Sequence, residues 1–198
     1  RDEIGALLNR LPPTDQKRLV TALTTAADLL GATPADPLRS FILRPPEPGD
    51  IGWVVHRHGA LYAAEYGWDW TFEAMVAGIA ARFIENFDPA RERCWIAERD
   101  GAIRGAVFLV RDTDTVARLR LLYVEPSTRG AGLGRTLVRA CIRFAASAGY
   151  RKITLWTNDV LTAARAIYRS EGFVVTEAQP EHHFGKDLVS ETWERELA

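Results

Sequence analysis

Residues 124–135 read Val-Glu-Pro-Ser-Thr-Arg-Gly-Ala-Gly-Leu-Gly-Arg. Residues 119–124, which lead into this stretch, are apolar apart from Arg120 and have the length of a strand. The residues after the stretch place apolar side chains three and four positions apart, which is typical of the buried face of a helix: Leu137, Val138, Cys141, Ile142 and Ala145. The stretch therefore predicts a strand, a glycine-rich turn and a helix.

A turn of this kind is suited to binding an anion. Glycines lack side chains, so successive backbone N–H groups can converge on a phosphate, and the helix N-terminus adds partial positive charge. Arg129 and Arg135 add full charges. Gly130, Gly132 and Gly134 do not have the spacing of the Rossmann fingerprint, and the Lys-Ser/Thr pair of a P-loop does not follow them. We expect a phosphate or pyrophosphate as the guest.

Two motifs resemble those of the GNAT family of acyl-CoA N-acyltransferases. Arg129, Gly132 and Gly134 match the Arg-x-x-Gly-x-Gly of that family's pyrophosphate loop. Residues 164–173 resemble its Ala-x-x-Leu-Tyr-x-x-x-Gly-Phe motif, in which Tyr168 stands at the position of the catalytic tyrosine. Because both motifs occur in the family's order, a simple strand-to-helix connection is the weaker interpretation.

The resemblance implies an α/β fold with a mixed, mostly antiparallel sheet flanked by helices. Two parallel central strands would splay apart in a V that admits the pantetheine of acetyl-CoA. Tyr168 would protonate the departing thiolate, and the N–H of Val124 would stabilise the oxyanion. The residues implied to bind the cofactor are Leu122, Tyr123, Val124, Arg129, Gly130, Ala131, Gly132, Leu133, Gly134, Arg135, Asn158, Ala164 and Tyr168.

The sequence departs from the family pattern near the catalytic tyrosine. The family often has an asparagine seven residues before it, and Leu161 occupies that position here. Asn158 could contact the cofactor in its place or could help cap the following helix. The general base is also unassigned, with Glu125, Glu98 and the pair His182 and His183 as candidates.

The resemblance also implies that the first two helices of the domain and their joining loop form one wall of the acceptor site. Glu65, Tyr66, Trp68 and Asp69 lie in this region. Carboxylates and aromatic faces favour a cationic head group, so these residues predict a cationic amine as acceptor. The alternative is that the aromatic residues fill the seam between helices and sheet.

We expect the chain to divide into a helical extension (residues 1–31), a linker (32–39) and a domain that resembles the GNAT family (40–198). Residues 8–31 resemble the last helices of a MarR-type regulator, which dimerise. The alternative is an extension that packs on the domain or on a second copy of the chain. Dimerising helices and packing on a second copy would each give a homodimer. No recognition helix is present, and we expect no nucleic acid to be bound by this chain itself.

Composition indicates an ordinary globular protein. Of the 198 residues 47% are hydrophobic and 26% charged, with a net charge of −1, which gives no sign of affinity for nucleic acid or anionic membrane. No apolar run approaches the ~20 residues of a membrane span, so we expect a cytoplasmic protein. Cys94 and Cys141 are too far apart to indicate a disulfide framework, and the adjacent histidines make a poor metal pair, so we predict no metal.

These observations predict an acetyltransferase that moves the acetyl group of acetyl-CoA to a primary amine by direct attack in a ternary complex. The acceptor is expected to be a small molecule, with a protein acceptor left open. The competing hypothesis is a non-catalytic acyl-CoA-sensing module attached to a MarR-type transcriptional regulator.

Overall fold

The computed structural model of the protein describes residues 11–30 and 41–197. Helix α1 spans Pro13–Leu29. The first helix expected in the extension and the expected linker fall largely outside the described residues, so the predicted domain boundaries stay predictions. No helix within the described ranges combines the length and the hydropathy needed to cross a membrane.

The remaining helices and strands form an α/β domain. Its described strands make a seven-stranded sheet in the order β1-β2-β3-β4-β5-β7-β6. Neighbouring strands are antiparallel except for β4 and β5, which are parallel. This arrangement confirms the mixed, mostly antiparallel sheet. The elements are β1 Ile42–Arg44, α2 Asp50–Tyr66, α3 Trp70–Asn86, β2 Arg93–Arg99, β3 Ala102–Arg111, β4 Val116–Val124, α4 Leu133–Ser147, β5 Lys152–Asn158, α5 Thr162–Ser170, β6 Val174–His183 and β7 Lys186–Glu196.

The two parallel strands separate partway along their length, as the resemblance implied. Residues 116–119 of β4 pair with residues 152–155 of β5, and the pairing ends there. At the same level β4 contains a bulge, where Val107 of β3 faces both Leu121 and Leu122. Leu121 has a φ of +50°, which is uncommon for a bulky residue. Since a bulge bends its strand and increases the local twist, it directs the end of β4 away from β5.

The helices cover both faces of the sheet. Successive strand residues point to opposite faces, so Val107 packs in the cluster with α4 and α5, whereas Ala106 and Phe108 pack in the cluster with α2 and α3. A third apolar cluster lies beside the splay and includes Trp68, Phe72, Val76, Phe184 and Leu188. The open end of the V is therefore enclosed by helices from both sides.

The C-terminal hairpin differs from the expectation. The stretch Gln-Pro-Glu-His-His-Phe-Gly, residues 179–185, predicts a loop around His182 and His183, but they are the last residues of β6. Phe184 and Gly185 both have positive φ and form a two-residue turn, which lets His183 pair directly with Lys186. The alternation of residues 191–197 predicts a last strand that starts at Glu191, and because of this turn β7 begins five residues earlier, at Lys186.

Candidate active site

The glycine-rich stretch forms a cradle of backbone N–H groups at the start of α4. Gly130 and Gly132 have φ values of +81° and +79°, and a Cβ on either would meet no protein atom within 4 Å. The N–H groups of residues 132–135 make no hydrogen bond inside the described part of the chain, as expected for the first turn of a helix. Arg129 and Arg135 stand beside them, in ion pairs with Glu65 at 2.8 Å and with Glu171 at 3.5 Å. The cradle fits a pyrophosphate, since it offers free N–H donors, the partial positive charge of the helix N-terminus and open space.

The cradle lies in the wall of a cavity of about 440 Å³, which we call the loop cavity. It contains most of the residues expected to bind the cofactor: Leu122, Tyr123, Val124, Arg129, Gly130, Gly132, Leu133, Gly134, Arg135 and Ala164. Ala131 is not in this wall, because its N–H turns back to the carbonyl of Thr128 at 3.4 Å. Asn158 and Tyr168 are not in it either and line a second cavity.

The second cavity, which we call the inner cavity, has a volume of about 80 Å³. It lies at the splay of β4 and β5 and is closed by α2, α3 and α5. Its wall is mostly aromatic and aliphatic, with a few polar groups: His58, Arg120, Thr157 and Asn158. Four residues line both cavities, so the two spaces adjoin: Tyr62, Leu122, Leu161 and Ala164.

Tyr168, the expected acid, lines the inner cavity from α5. Its ring is buried and packs near Phe173 and Trp193, with centroid distances of 5.9 and 6.2 Å. Burial raises the pKa of the phenol well above its usual range, so the hydroxyl keeps its proton at physiological pH. A group of this kind can donate a proton to a thiolate formed beside it.

The backbone of Val124 has the orientation that an oxyanion donor needs. The N–H of Glu125 donates to the carbonyl of Arg104 on β3 at 2.8 Å. Because consecutive N–H groups in a strand point to opposite edges, the N–H of Val124 points toward β5. Pairing with β5 has already ended at Leu119, so this N–H faces the gap and no strand partner.

The sequence analysis missed His58 of α2. The imidazole is 2% exposed, lines the inner cavity and bonds through Nδ1 to the carbonyl of Val54 at 2.9 Å. Burial lowers its pKa to about 4. The ring is therefore neutral at physiological pH, and Nε2, which has no partner among the described residues, is left as an acceptor. No signal in the sequence separates this histidine from a core histidine on the buried face of a helix.

The four residues expected to form an acceptor wall do not all face one cavity, although the rings of Tyr66 and Trp68 lie 5.7 Å apart. The carboxylate of Glu65 binds Arg129 at 2.8 Å, and both Glu65 and Tyr66 line the loop cavity. Asp69 caps α3, accepting a hydrogen bond from the N–H of Thr71 at 3.0 Å. Trp68 alone among the four lines the inner cavity. The expectation of free negative charge facing the acceptor is therefore not met.

The carboxylates considered as general bases are also engaged elsewhere. Glu125 accepts two hydrogen bonds from Arg57, at 2.6 and 2.8 Å, and a third from the hydroxyl of Tyr123. Glu98 lies on β2 and binds Arg44 of β1 at 2.8 Å. Strand β3 lies between β2 and β4, so Glu98 is remote from the splay of β4 and β5. Both carboxylates therefore have structural partners and lie outside the inner cavity.

The two histidines at the end of β6 have different surroundings, since one faces solvent and the other contacts the wall of the inner cavity. His182 is exposed and pairs with Asp187 at 2.6 Å. His183 bonds through Nε2 to Oδ1 of Asn158 at 2.8 Å, and this bond fixes the orientation of the amide inside the inner cavity. Asn158 therefore does not cap α5 through its side chain, and the helix begins after Leu161 without a side-chain cap.

Comparisons with known proteins agree with this geometry. A sequence model of the acetyltransferase (GNAT) family matches residues 56–173. Human N-acetyltransferase 8B is 34% identical over 87 residues, which cover 41% of this chain and 38% of the human protein. The chain thus spans well under half the length of that relative. An uncharacterized N-acetyltransferase of Schizosaccharomyces pombe is 32% identical over 124 residues, 62% of this chain and 74% of that protein.

Solved structures share the fold. A Salmonella typhimurium protein assigned as an acetyltransferase, solved with its cofactor acetyl-CoA, aligns with a TM-score of 0.62 and 20% identity. The alignment covers 80% of this chain and 95% of that protein. The family match does not reach residues 8–31, where the resemblance to a MarR-type regulator was seen. The residues matched by the family model, together with the splayed sheet and its glycine cradle, show that the chain belongs to the GNAT family of acetyltransferases.

Proposed function

We propose that the protein transfers the acetyl group of acetyl-CoA to the primary amine of a small molecule. The observation that carries this proposal is the junction of the two cavities. The loop cavity offers the pyrophosphate cradle, the inner cavity offers a proton donor, and both are lined by Leu122 and Ala164. The small size of the inner cavity favours a small-molecule acceptor over a protein.

Each chemical task has a candidate group. Bound acetyl-CoA supplies the thioester that the amine attacks. The N–H of Val124 donates a hydrogen bond to the thioester oxygen as negative charge develops there. Nε2 of His58 accepts a hydrogen bond from the amine and orients its lone pair. The hydroxyl of Tyr168 gives its proton to the sulfur as the carbon–sulfur bond breaks, and the proton that the attacking nitrogen loses restores the hydroxyl, so that the products are the amide and the coenzyme A thiol.

Direct transfer is favoured over an acyl-enzyme on the protein's own thiols. Cys94 and Cys141 are both free and buried in the core. Burial raises the pKa of each thiol, which disfavours the thiolate that would have to attack a thioester. Neither cysteine lines the loop cavity or the inner cavity. A ternary complex of protein, acetyl-CoA and amine is the arrangement that these groups support.

The test is release of the coenzyme A thiol from acetyl-CoA, measured over a panel of small amines. We expect amine-dependent thiol release, with one acetylated amine formed for each thiol. Reactions without amine give the hydrolysis background. Tight binding of acetyl-CoA with no turnover on any amine of the panel would contradict the proposal and indicate a binding module.

A further inference from the structure

The inner cavity has one formal charge in its described lining, and that charge is positive. Arg120 of β4 is half-buried and lines the cavity. Its guanidinium makes no ion pair or hydrogen bond with any residue in the ranges 11–30 and 41–197. Burial lowers its pKa, and Arg118 and Arg82 contribute in the same direction. A guanidinium that a ligand removes from water needs an anionic partner.

Nearby carboxylates cannot serve as that anion in the arrangement observed. Asp112, the acidic residue that acts on Arg120 electrostatically, is held by Arg118 at 2.9 Å. Glu65 is held by Arg129, and Asp69 caps α3. The other ionisable groups of the inner cavity are uncharged at physiological pH, because His58 and the tyrosines are buried. The positive charge of the cavity is thus left for its occupant.

Two further donors in the same wall are also without a partner. Trp68 Nε1 and Asn158 Nδ2 are buried and make no hydrogen bond. Both residues line the inner cavity, and they are 3% and 1% exposed. Buried donors are nearly always paired, so unpaired ones that face a cavity indicate an acceptor-rich ligand. Nε2 of His183 lies 2.8 Å from Oδ1 of Asn158, and the NH₂ group of the same amide has no partner.

From these groups we infer that the acceptor carries a carboxylate beside its amine, and that Arg120 binds this carboxylate. The inference rests on the proposed function, which it deepens by naming the substrate class as amino acids with a free amine. Arginine binds carboxylates through parallel hydrogen bonds, which gives geometry as well as charge. Trp68 and Asn158 supply neutral donors to the same ligand. The group recognised is a carboxylate that faces an arginine, whereas the sequence predicted a cationic head group that faces carboxylates.

The experiment compares an amino acid with its amide, in which the carboxylate is replaced and the side chain is kept. The two kcat/KM values are measured for the parent protein, for Arg120→Gln and for Arg82→Gln. Arg82 is exposed on α3 and outside the cavity wall, so its variant loses the same charge without touching the cavity. The amino acid and its amide differ in amine basicity, and this difference is the same for every variant. It therefore cancels when the ratio of the two kcat/KM values is compared between variants.

We expect the parent to prefer the amino acid. In Arg120→Gln this preference should fall by about 10- to 100-fold, the range of a charged hydrogen bond, with acetylation of the amide little changed. Arg82→Gln should keep the parental preference. An Arg120→Gln variant that retains the parental ratio, or a parent that prefers the amide, would overturn the inference.

A binding measurement separates this inference from the proposed function. Calorimetry with protein saturated with coenzyme A reports affinity for the amino acid and its amide without any turnover. If no amine of the panel is acetylated, the proposed function fails, and Arg120 is judged from these affinities alone. If other amines are acetylated but the amino acid is not, the proposed function stands and the inference is rejected. Amino acid affinity that is equal in the parent and in Arg120→Gln would then reject the role of Arg120. A melting temperature for each variant shows that it is folded.

Discussion

At the scale of single residues, the hydroxyl of Tyr168 is the group most directly open to test. The change Tyr168→Phe keeps the ring that packs near Phe173 and Trp193 and removes only the proton donor. We expect kcat to fall by ~10²–10⁴-fold, the usual contribution of a general acid. Steady-state kinetics measures this loss, and calorimetry should show unchanged affinity for acetyl-CoA. Parental turnover in the variant would mean that Tyr168 only packs the core.

His58 gives a second residue-scale prediction, which concerns stability. Its pKa is about 4 in the folded protein against an ordinary 6.5, so between these values the unfolded chain binds a proton that the folded chain does not. Its effect on the free energy of unfolding is therefore absent above about pH 6.5. As the pH falls from 6.5 to 4 the protein loses stability by about 1.4 kcal/mol per pH unit from this group.

The change His58→Phe should remove that loss while keeping an aromatic ring beside Tyr62 and Tyr123. The measurement is denaturant unfolding of both proteins at several pH values between 4 and 7. We expect the unfolding free energy of the variant, relative to that of the parent, to increase as the pH falls. His56→Phe is the control, because His56 is exposed on the same helix. A constant difference for His58→Phe would contradict the assignment.

At the scale of elements, the glycine cradle joins a strand end to a helix start. Gly132 precedes α4 with positive φ, and the space beside it is open in the protein. The change Gly132→Val would place a side chain where the pyrophosphate should lie and would also strain the backbone. We expect calorimetry to detect no binding of coenzyme A, with a loss of stability of about 1–2 kcal/mol.

The matched control is Gly149→Val at the other end of α4. Gly149 also has positive φ, +81°, and open space around it, but it lies outside both cavities. It should show a comparable loss of stability with full affinity for coenzyme A. If both variants bind coenzyme A like the parent, the cradle is not the pyrophosphate site.

The separation of β4 from β5 is the element-scale feature on which the chemistry depends. The bulge at Leu121 and Leu122 ends the parallel ladder and leaves the N–H of Val124 facing a gap. Nothing in the local sequence marks these leucines as a bulge, because apolar runs read the same whether a strand is regular or bulged. The splay was expected only through the family resemblance.

At the scale of the whole molecule, the two halves of the sheet are held together beside the site by a short parallel ladder, residues 116–119 with 152–155. Coenzyme A in the loop cavity would contact both β4 and α5, which lie on opposite sides of the splay. At a coenzyme A concentration of 100 times its Kd, we expect the unfolding free energy to rise by about 2.7 kcal/mol. Thermal unfolding with and without coenzyme A measures this.

The same ligand should slow amide hydrogen exchange at residues 132–135, whose N–H groups are free in the protein alone. Gly132→Val should show neither effect and serves as the control. Stabilisation by coenzyme A without any change in exchange at these amides would place the ligand elsewhere on the molecule.

Features that depend on residues close together in the chain could be predicted from the sequence alone. The glycine turn between strand and helix, the helical periodicity of α4 and the motif around Tyr168 are all local, so they identified the fold, the cradle and the candidate acid. The family match and the splayed sheet confirmed the fold. The bounds of the last hairpin were predicted less well, because a two-residue turn at Phe184 and Gly185 extended both strands.

Which side chains contact one another, and which charged groups have no ion-pair partner, could be seen only in the three-dimensional structure. Glu65 and Arg129 are 64 residues apart in the chain, and their ion pair removes the negative charge that the sequence had assigned to the acceptor. His58, Trp68, Arg120 and Asn158 come from different segments and share one cavity because of the order and splay of the strands. Charge counted along a sequence does not show pairing, since pairing depends on distances that only the fold sets.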